Sequence, residues 1–443
     1  MIDATLNKIN KVVPVKWQWV LNHEGFRRYF KNTGWMFFGR IFSLIISFFV
    51  GAYIARYLGP SNYGLFNYVI SFVGIFGFLA SFGIDSVVSR EIIKNHNLKN
   101  IIIGTGFYLK LLGAIITVLV IIVVSYFTTK DFFTLSLIWL FSLIYIPQIF
   151  NIIDIYFQSQ VLSRNVVKSQ IFSNIISTIL KIICIFLHKG IFWLLSVYVF
   201  EFFLISVFLL IYFKKSGYYL KIWKFDKKIA ISLLGDSWPL MLSSMAIGLY
   251  LKIDQVMIKN MLGNEQSGIY AVAVKISEVW YFIPTMICSS IFPAILNAKK
   301  ISVELYQSRL SKLYKLMFWI AFFIALPISI FSKNIIFLIF GSEYIKAAMS
   351  LSIYVWAGVG VSLGVAMSYY LLTENYNRIS MTVAIIGAVI NILLNLILIP
   401  RIGITGAAIS TFVAYNGSLL AVGFFSKTRK QMLILFKSIV LNV

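Results

Sequence analysis

The chemistry of this chain rests on charged side chains set inside long apolar runs. Arg40, Arg56, Lys110, Lys181, Lys252 and Lys275 are the basic ones, and Asp154, Glu201, Asp236, Asp254 and Glu278 the acidic ones. At mid-span in a bilayer each costs roughly 2.5–3.5 kcal/mol on insertion scales, so such residues normally face a partner or a water-filled cavity. Shielded lysines and arginines suit an anionic ligand, and shielded carboxylates suit a proton or a cation. We therefore take Arg40, Lys110, Lys181, Lys252 and Lys275 as candidate substrate-binding residues, and Asp236, Asp254 and Glu278 as candidate ion-coupling residues. No residue is assigned a catalytic role. His23, His96 and His188 lack metal-ligand spacing, so no metal site is expected. No phosphate-binding P-loop occurs, and no cofactor is expected.

Helical phase places several of these charges. Arg40, Ser43, Ser47 and Gly51 share one face, as do Gly106, Lys110, Gly113 and Thr117, and Gln170, Asn174, Ser177, Lys181 and His188. The other faces are Ile, Leu and Phe, so three cations turn away from lipid. Small residues also mark ordinary helix contacts in membranes, and lysines near span ends snorkel to the headgroups. For Arg56, near an outer end, snorkelling or loop anchoring is the expectation. Asp236 and Asp254 are five turns apart and share a face, with Lys252 pointing nearly opposite Asp254. Lys275 and Glu278 are close enough for an intrahelical pair. Pro284 is expected to kink its helix.

The elements carrying these residues are membrane helices. Sixty per cent of the 443 residues are hydrophobic and 12% charged, against about 25% charged in soluble chains. The apolar runs are continuous rather than alternating, which indicates helices. Cys184 and Cys288 lie within them as small buried hydrophobes. About twelve transmembrane helices fit, at 34–57, 62–84, 101–126, 132–156, 165–187, 191–213, 229–258, 266–296, 313–340, 345–372, 378–399 and 403–425. Within 313–340, Pro327 and Ser332-Lys333-Asn334 mark a kink or a surface end.

The expected organisation is all-α: a basic N-terminal segment (1–33), a six-helix bundle (34–213), a basic linker (214–228), a second bundle (229–425) and a basic tail (426–443). Residues 1–33 do not read as a cleavable signal peptide; with Trp17, Trp19 and Phe26 they suit an amphipathic surface helix. With the N-terminus inside, 27 of the 39 Lys and Arg fall on the cytoplasmic side and six outside. The positive-inside rule then puts both termini in the cytoplasm of a multi-pass protein. The net charge of +24 is mainly this topology signal beside anionic lipid, and nucleic-acid binding is not needed to explain it.

A helical hairpin occurs twice, as ARYLGPSNYGLFNY from Ala55 to Tyr68 and IKNMLGNEQSGIYAV from Ile258 to Val272. Gly59 aligns with Gly263, Gly64 with Gly268 and Phe66 with Tyr270. Six spans per half means both halves cross in the same direction, so a pseudo-twofold axis along the membrane normal and a central cavity are expected.

The run GRIFSLIISFFVGAYIARYLGPSNYGLFNYV resembles the start of polysaccharide-biosynthesis flippases. KIDQVMIKNMLGNEQSGIYAVAVKISEVWYFIP, the Ile291–Pro293 tripeptide IFP and GITGAAIST from Gly403 to Thr411 resemble later parts of them. These proteins belong to the multidrug/oligosaccharidyl-lipid/polysaccharide exporter superfamily. The resemblance implies two six-helix bundles around a cavity, working by alternating access in the cell (inner) membrane. It implies an undecaprenyl-pyrophosphate-linked glycan as substrate, an O-antigen or related repeat unit used in lipopolysaccharide or other polysaccharide biosynthesis. Polysaccharide polymerase machinery is one implied partner. Tyr53, Tyr250, Trp280 and Tyr281 suit sugar stacking or interface anchoring. A drug or small-molecule exporter of the same fold and an integral-membrane glycan polymerase stay open as alternatives.

Overall fold

The computed structural model describes residues 24–220 and 223–440. The surface helix expected around Trp17 and Trp19 lies outside the described residues, and so does the side chain of Phe26. Every regular element among the described residues is a helix, as the continuous apolar runs require. Among the described residues ten helices are long and apolar enough to cross a membrane, or eleven when the pair Ser342–Tyr354 and Ala357–Thr373, bent by 42°, counts as one span.

The difference from twelve lies at Gly59. The expected spans 34–57 and 62–84 fall largely within one helical stretch, Glu24–Ile75, interrupted by Gly59 at φ 68 and ψ 171. Its apolar part, Gly34–Ile75, has 42 residues, about 63 Å of helix, roughly twice the hydrocarbon thickness. A backbone conformation open almost only to glycine makes the turn between two spans. Gly263, its repeat partner, has φ 89 and ψ 179. The hairpin repeat is thus a repeat of backbone geometry.

The span expected at 313–340 is shifted. Its helix runs Val303–Ile330, N-capped by Ser302, whose side chain accepts from the Leu305 amide at 3.1 Å. A separate helix, Ser332–Phe340, follows. The apolar run begins at 313, but the helix continues ten residues beyond it through polar sequence. Pro327 is accommodated, and the break comes at Phe331, beside the Ser-Lys-Asn triplet. Helix Asn264–Glu278 stops before Pro284, and the next helix begins at Phe282. Proline lacks the N–H needed to carry the ladder through this point.

The chain packs as two compact units, one of residues up to Val50 with Leu79–Trp238, the other of Gly51–Phe78 with Pro239–Val443. Within the first, segment 214–228 is tied down: the Asp226 amide donates to Thr105 Oγ1 at 3.0 Å, and the Trp223–Lys224 backbone lies on Gly104. Within the second, Cys288, Tyr314, Met317, Ala366 and Met367 share one core. Cys288 is packed there as an ordinary hydrophobe.

Candidate functional site

In the second unit the two hairpin turns meet. A Cβ added to Gly64 would overlap the Asn264 carbonyl, and one added to Gly268 would overlap the Pro60 carbonyl. These contacts interchange under the 204-residue offset of the repeat, so the seam is self-complementary, as contact across a twofold axis must be. Gln255 supports it by donating to Ser267 O at 2.6 Å. Lys259 lies 4.4 Å from the Tyr68 ring centroid, and Tyr344 donates to Ala55 O at 2.7 Å. Arg56 donates to Leu338 O at 2.5 Å, a carbonyl in the last turn of helix Ser332–Phe340, so it ties two helices in place of the expected snorkelling or loop anchoring.

Beside this seam lies a cavity of about 210 Å³. Asn67 and Ser71 come from the helix after Gly59. Leu251, Lys252, Asp254 and Gln255 come from helix Lys227–Leu262. Tyr270, Ala271, Val274, Lys275 and Glu278 come from helix Asn264–Glu278, and Tyr354 completes the lining. Four expected residues, Lys252, Asp254, Lys275 and Glu278, therefore share one cavity. The Lys275 amine reaches the Gly51 backbone, into the space a side chain there would fill. Glu278 ends its helix at the break before Pro284, and Tyr354 ends the helix before the 42° bend. Tyr354 donates to Glu278 Oε1 at 2.8 Å, so two broken helices place this pair.

Asp254 is 4% exposed. Its carboxylate accepts from Tyr270 at 2.8 Å, from Asn395 at 2.6 Å and from Thr411. Asn391 Oδ1 in turn accepts from Asn395 at 3.2 Å. A buried carboxylate ringed by hydroxyl and amide groups can exchange those contacts for a proton or a cation with little rearrangement. Sequence reasoning did not single out Tyr270, Tyr354, Asn391, Asn395 or Thr411 for the site. The Asn391-x-x-x-Asn395 spacing in an apolar helix was the available signal, since it puts two amides on one face.

The other expected residues lie elsewhere. Arg40 is exposed. Lys110 is buried and paired with Asp85 at 2.7 Å. Its stripe contacts other helices: Gly106 packs on Ile152, and Gly113 on the Leu79 and Ala80 carbonyls. Lys181 pairs with Glu201 at 2.7 Å and lies 3.6 Å from the Tyr198 ring centroid, while Ser177 also donates to Glu201 at 2.6 Å. Lys110 and Lys181 are buried with Gly106, Gly113, Thr117 and Ser177, and what faces them is a neighbouring helix, whereas His188 lies beyond the end of helix Ser163–Phe186 and is exposed. Asp236 is half-exposed and paired with Arg90, whereas Asp254 is buried, so the shared face does not become a shared environment. The Asp236 hydrogen bond raises the Arg90 guanidinium pKa further above its ordinary value.

The Lys181–Glu201 geometry carries a stability prediction. Breaking a buried pair by removing one partner costs about 3–5 kcal/mol, while apolar replacement of both is often neutral. We expect Lys181→Ala to lower abundance and melting temperature, and Lys181→Met with Glu201→Leu to recover most of both. Equal, undiminished stability in the single variant would show that the pair contributes nothing.

Comparison with known proteins gives a concordant result. The family model described as "Polysaccharide biosynthesis protein" matches residues 29–299. An uncharacterized membrane protein of Methanocaldococcus jannaschii, MJ1375, is 27% identical over 207 residues, covering 45% of this chain and 46% of that one. The probable low-salt glycan biosynthesis flippase Agl15 of Haloferax volcanii is 26% identical over 192 residues, covering 42% and 40%. The probable flippase AglR of the same organism is 29% identical over 190 residues, covering 39% and 37%. The match thus spans less than half the length of each of these relatives. Among solved structures, an inward-facing multidrug resistance MATE family transporter of the MOP superfamily superposes with TM-score 0.74 at 14% identity, covering 89% of this chain and 96% of that one. The lipid II flippase MurJ, in an inward closed conformation, gives 0.67 at 17% identity, covering 91% and 90%. These likenesses show the fold.

Proposed function

This chain belongs to the polysaccharide biosynthesis protein family, and we propose that it is a flippase carrying a lipid-linked oligosaccharide from the cytoplasmic to the outer leaflet. The observation that carries the reading is the cavity in which Lys252 and Lys275 stand with Asp254 and Glu278. A lipid-linked glycan presents an anionic phosphate-bearing head, a polar sugar chain and an apolar tail. Cations inside the spans replace the head's hydration, and a desolvated site strengthens that attraction. The name of the Haloferax relative Agl15, a probable low-salt glycan biosynthesis flippase, supports a glycan cargo. Within this reading the carrier is undecaprenyl pyrophosphate, the cargo is an O-antigen or related repeat unit, and both termini are cytoplasmic. Asp254 is the coupling group: it holds a proton or a monovalent cation in one conformation and releases it in the other. The chain binds and moves its cargo without changing a covalent bond.

The test is substitution of the two cavity lysines. A charge-assisted contact contributes about 1.5–3 kcal/mol, an affinity change of roughly one to two powers of ten. Lys252→Ala and Lys275→Ala are each expected to raise the substrate concentration for half-maximal transport by that factor at normal protein abundance. Lysine-to-arginine changes retain more activity because the charge stays, although the guanidinium is wider. Normal transport by both alanine variants at normal abundance would overturn the cationic-cavity reading.

A further inference from the structure

The stretch 426–443 reads in sequence as a basic tail, but Ser426–Val440 is a helix docked on the second unit. Its inward face buries Thr428, Gln431, Met432 and Leu435. Gln431 donates to Tyr314 OH at 3.0 Å, and Met432 and Leu435 join the core around Cys288 and Met317. With this face fixed, the rotation of the helix is fixed too.

The outward face is divided. At 100° per residue, Lys427, Lys430 and Lys437 form one row. Leu433 and Phe436 form the adjacent row, with Arg429 between them. Leu433 is 56% and Phe436 45% exposed, and Phe424, in the turn before the helix, is 80% exposed. No acidic residue occurs between Ser426 and Val440. The last candidate span ends at Phe424, with one residue between it and this helix, so the helix starts where the chain leaves the bilayer.

A second apolar strip, interrupted by Arg429, beside a row that carries three lysines and Ile434, on a helix whose first face is already satisfied, fits a lipid–water boundary. We propose that Ser426–Val440 lies in the headgroup layer, with Leu433 and Phe436 in the acyl boundary and the lysine row on anionic phospholipid. Anionic lipid is the specific partner because the charges of the row are all positive, and a surface rich in such lipid attracts juxtamembrane lysines and arginines.

Two experiments test this. In full-length protein with Cys184→Ser and Cys288→Ala, an environment-sensitive fluorophore is placed at Leu433→Cys, Phe436→Cys or Lys430→Cys, and the protein is put into nanodiscs. In discs rich in phosphatidylglycerol, the 433 and 436 probes should be quenched by nitroxide lipid and severalfold less by aqueous iodide than the 430 probe. In phosphatidylcholine discs that protection should fall severalfold. In parallel, the natural sequence needs no substitution: trypsin should cut at Lys427–Lys437 severalfold faster in phosphatidylcholine than in phosphatidylglycerol discs. Iodide quenching equal at all three positions would overturn the proposal and leave this face to a protein partner. Lipid contact and trypsin resistance that ignore lipid charge would overturn it as well, because the partner would then not be anionic lipid.

Discussion

Alanine at Gly64 or Gly268 is expected to abolish most transport, although each change adds a single methyl group. At both positions the new Cβ falls on a backbone carbonyl of the opposite turn, which cannot rotate away as a flexible side chain would. Overpacking of this kind typically costs about 1–3 kcal/mol, which shifts the balance between met and parted turns roughly 5- to 150-fold. Three controls separate this from general glycine effects. Gly364 has nothing within 4 Å of a built Cβ, so Gly364→Ala is neutral or stabilising, since alanine gains up to about 1 kcal/mol in a helix. Gly59→Ala meets only Glu343 Oε2 at 3.6 Å, an ordinary contact, and Gly263→Ala nothing within 4 Å, but both force an L residue to φ 68 or φ 89, a strain of about 1–3 kcal/mol. These two should lower thermal stability. The expected order in a transport assay normalised to protein amount puts Gly364→Ala first and the two seam variants last. Seam variants that transport and melt like Gly364→Ala would mean that the turns do not need to approach.

Asp254 carries the second large effect. Asp254→Ala removes the acceptor shared by Tyr270, Thr411 and Asn395 in a buried place. Asn395 keeps Asn391 Oδ1 and Thr411 keeps Ala407 O. The loss therefore falls mainly on the Tyr270 hydroxyl, at about 1–3 kcal/mol for an unsatisfied group, and abundance should fall. Asp254→Asn preserves shape and most contacts but removes the charge. It should be made at near-normal levels, bind cargo, and lose the response of transport to an imposed ion gradient. The assay is flux in proteoliposomes under proton and sodium gradients applied separately; wild-type protein should respond to one of them. Asp254→Asn that responds as wild type does would remove Asp254 from coupling.

These predictions mark what the sequence makes legible. The turn glycines are readable because a repeat at a fixed offset demands the same special backbone, and Gly59 and Gly263 have it. Gly64 and Gly268 align as well, but sequence alone does not distinguish a turn glycine from one needed for close approach. That difference lies in the neighbour across the seam. Charges within spans are equally visible, and helical phase turns Lys110 and Lys181 from lipid, as they are in the structure. What periodicity lacks is the identity of the facing residue. Asp85 and Glu201 neutralise those two lysines, while Lys252 and Lys275 line a cavity. The Asp254 environment is assembled from positions up to 157 residues distant, and the Glu278–Tyr354 pair from two helix breaks. Helix ends drift for a different reason. Hydropathy sees where the bilayer begins, and Val303–Ile330 starts ten residues earlier because Ser302 caps it outside the apolar run.

The central claim is the movement of a lipid-linked glycan between leaflets, and it is tested most directly by deleting the gene and locating that glycan. The account predicts that the lipid-linked oligosaccharide accumulates on the cytoplasmic leaflet, that mass spectrometry of extracted lipid identifies it, and that the wild-type chain restores its export. The Lys252→Ala, Lys275→Ala double variant should not restore it. Undiminished arrival of every lipid-linked glycan at the outer surface in the deletion strain, with no intermediate retained inside, would contradict the account.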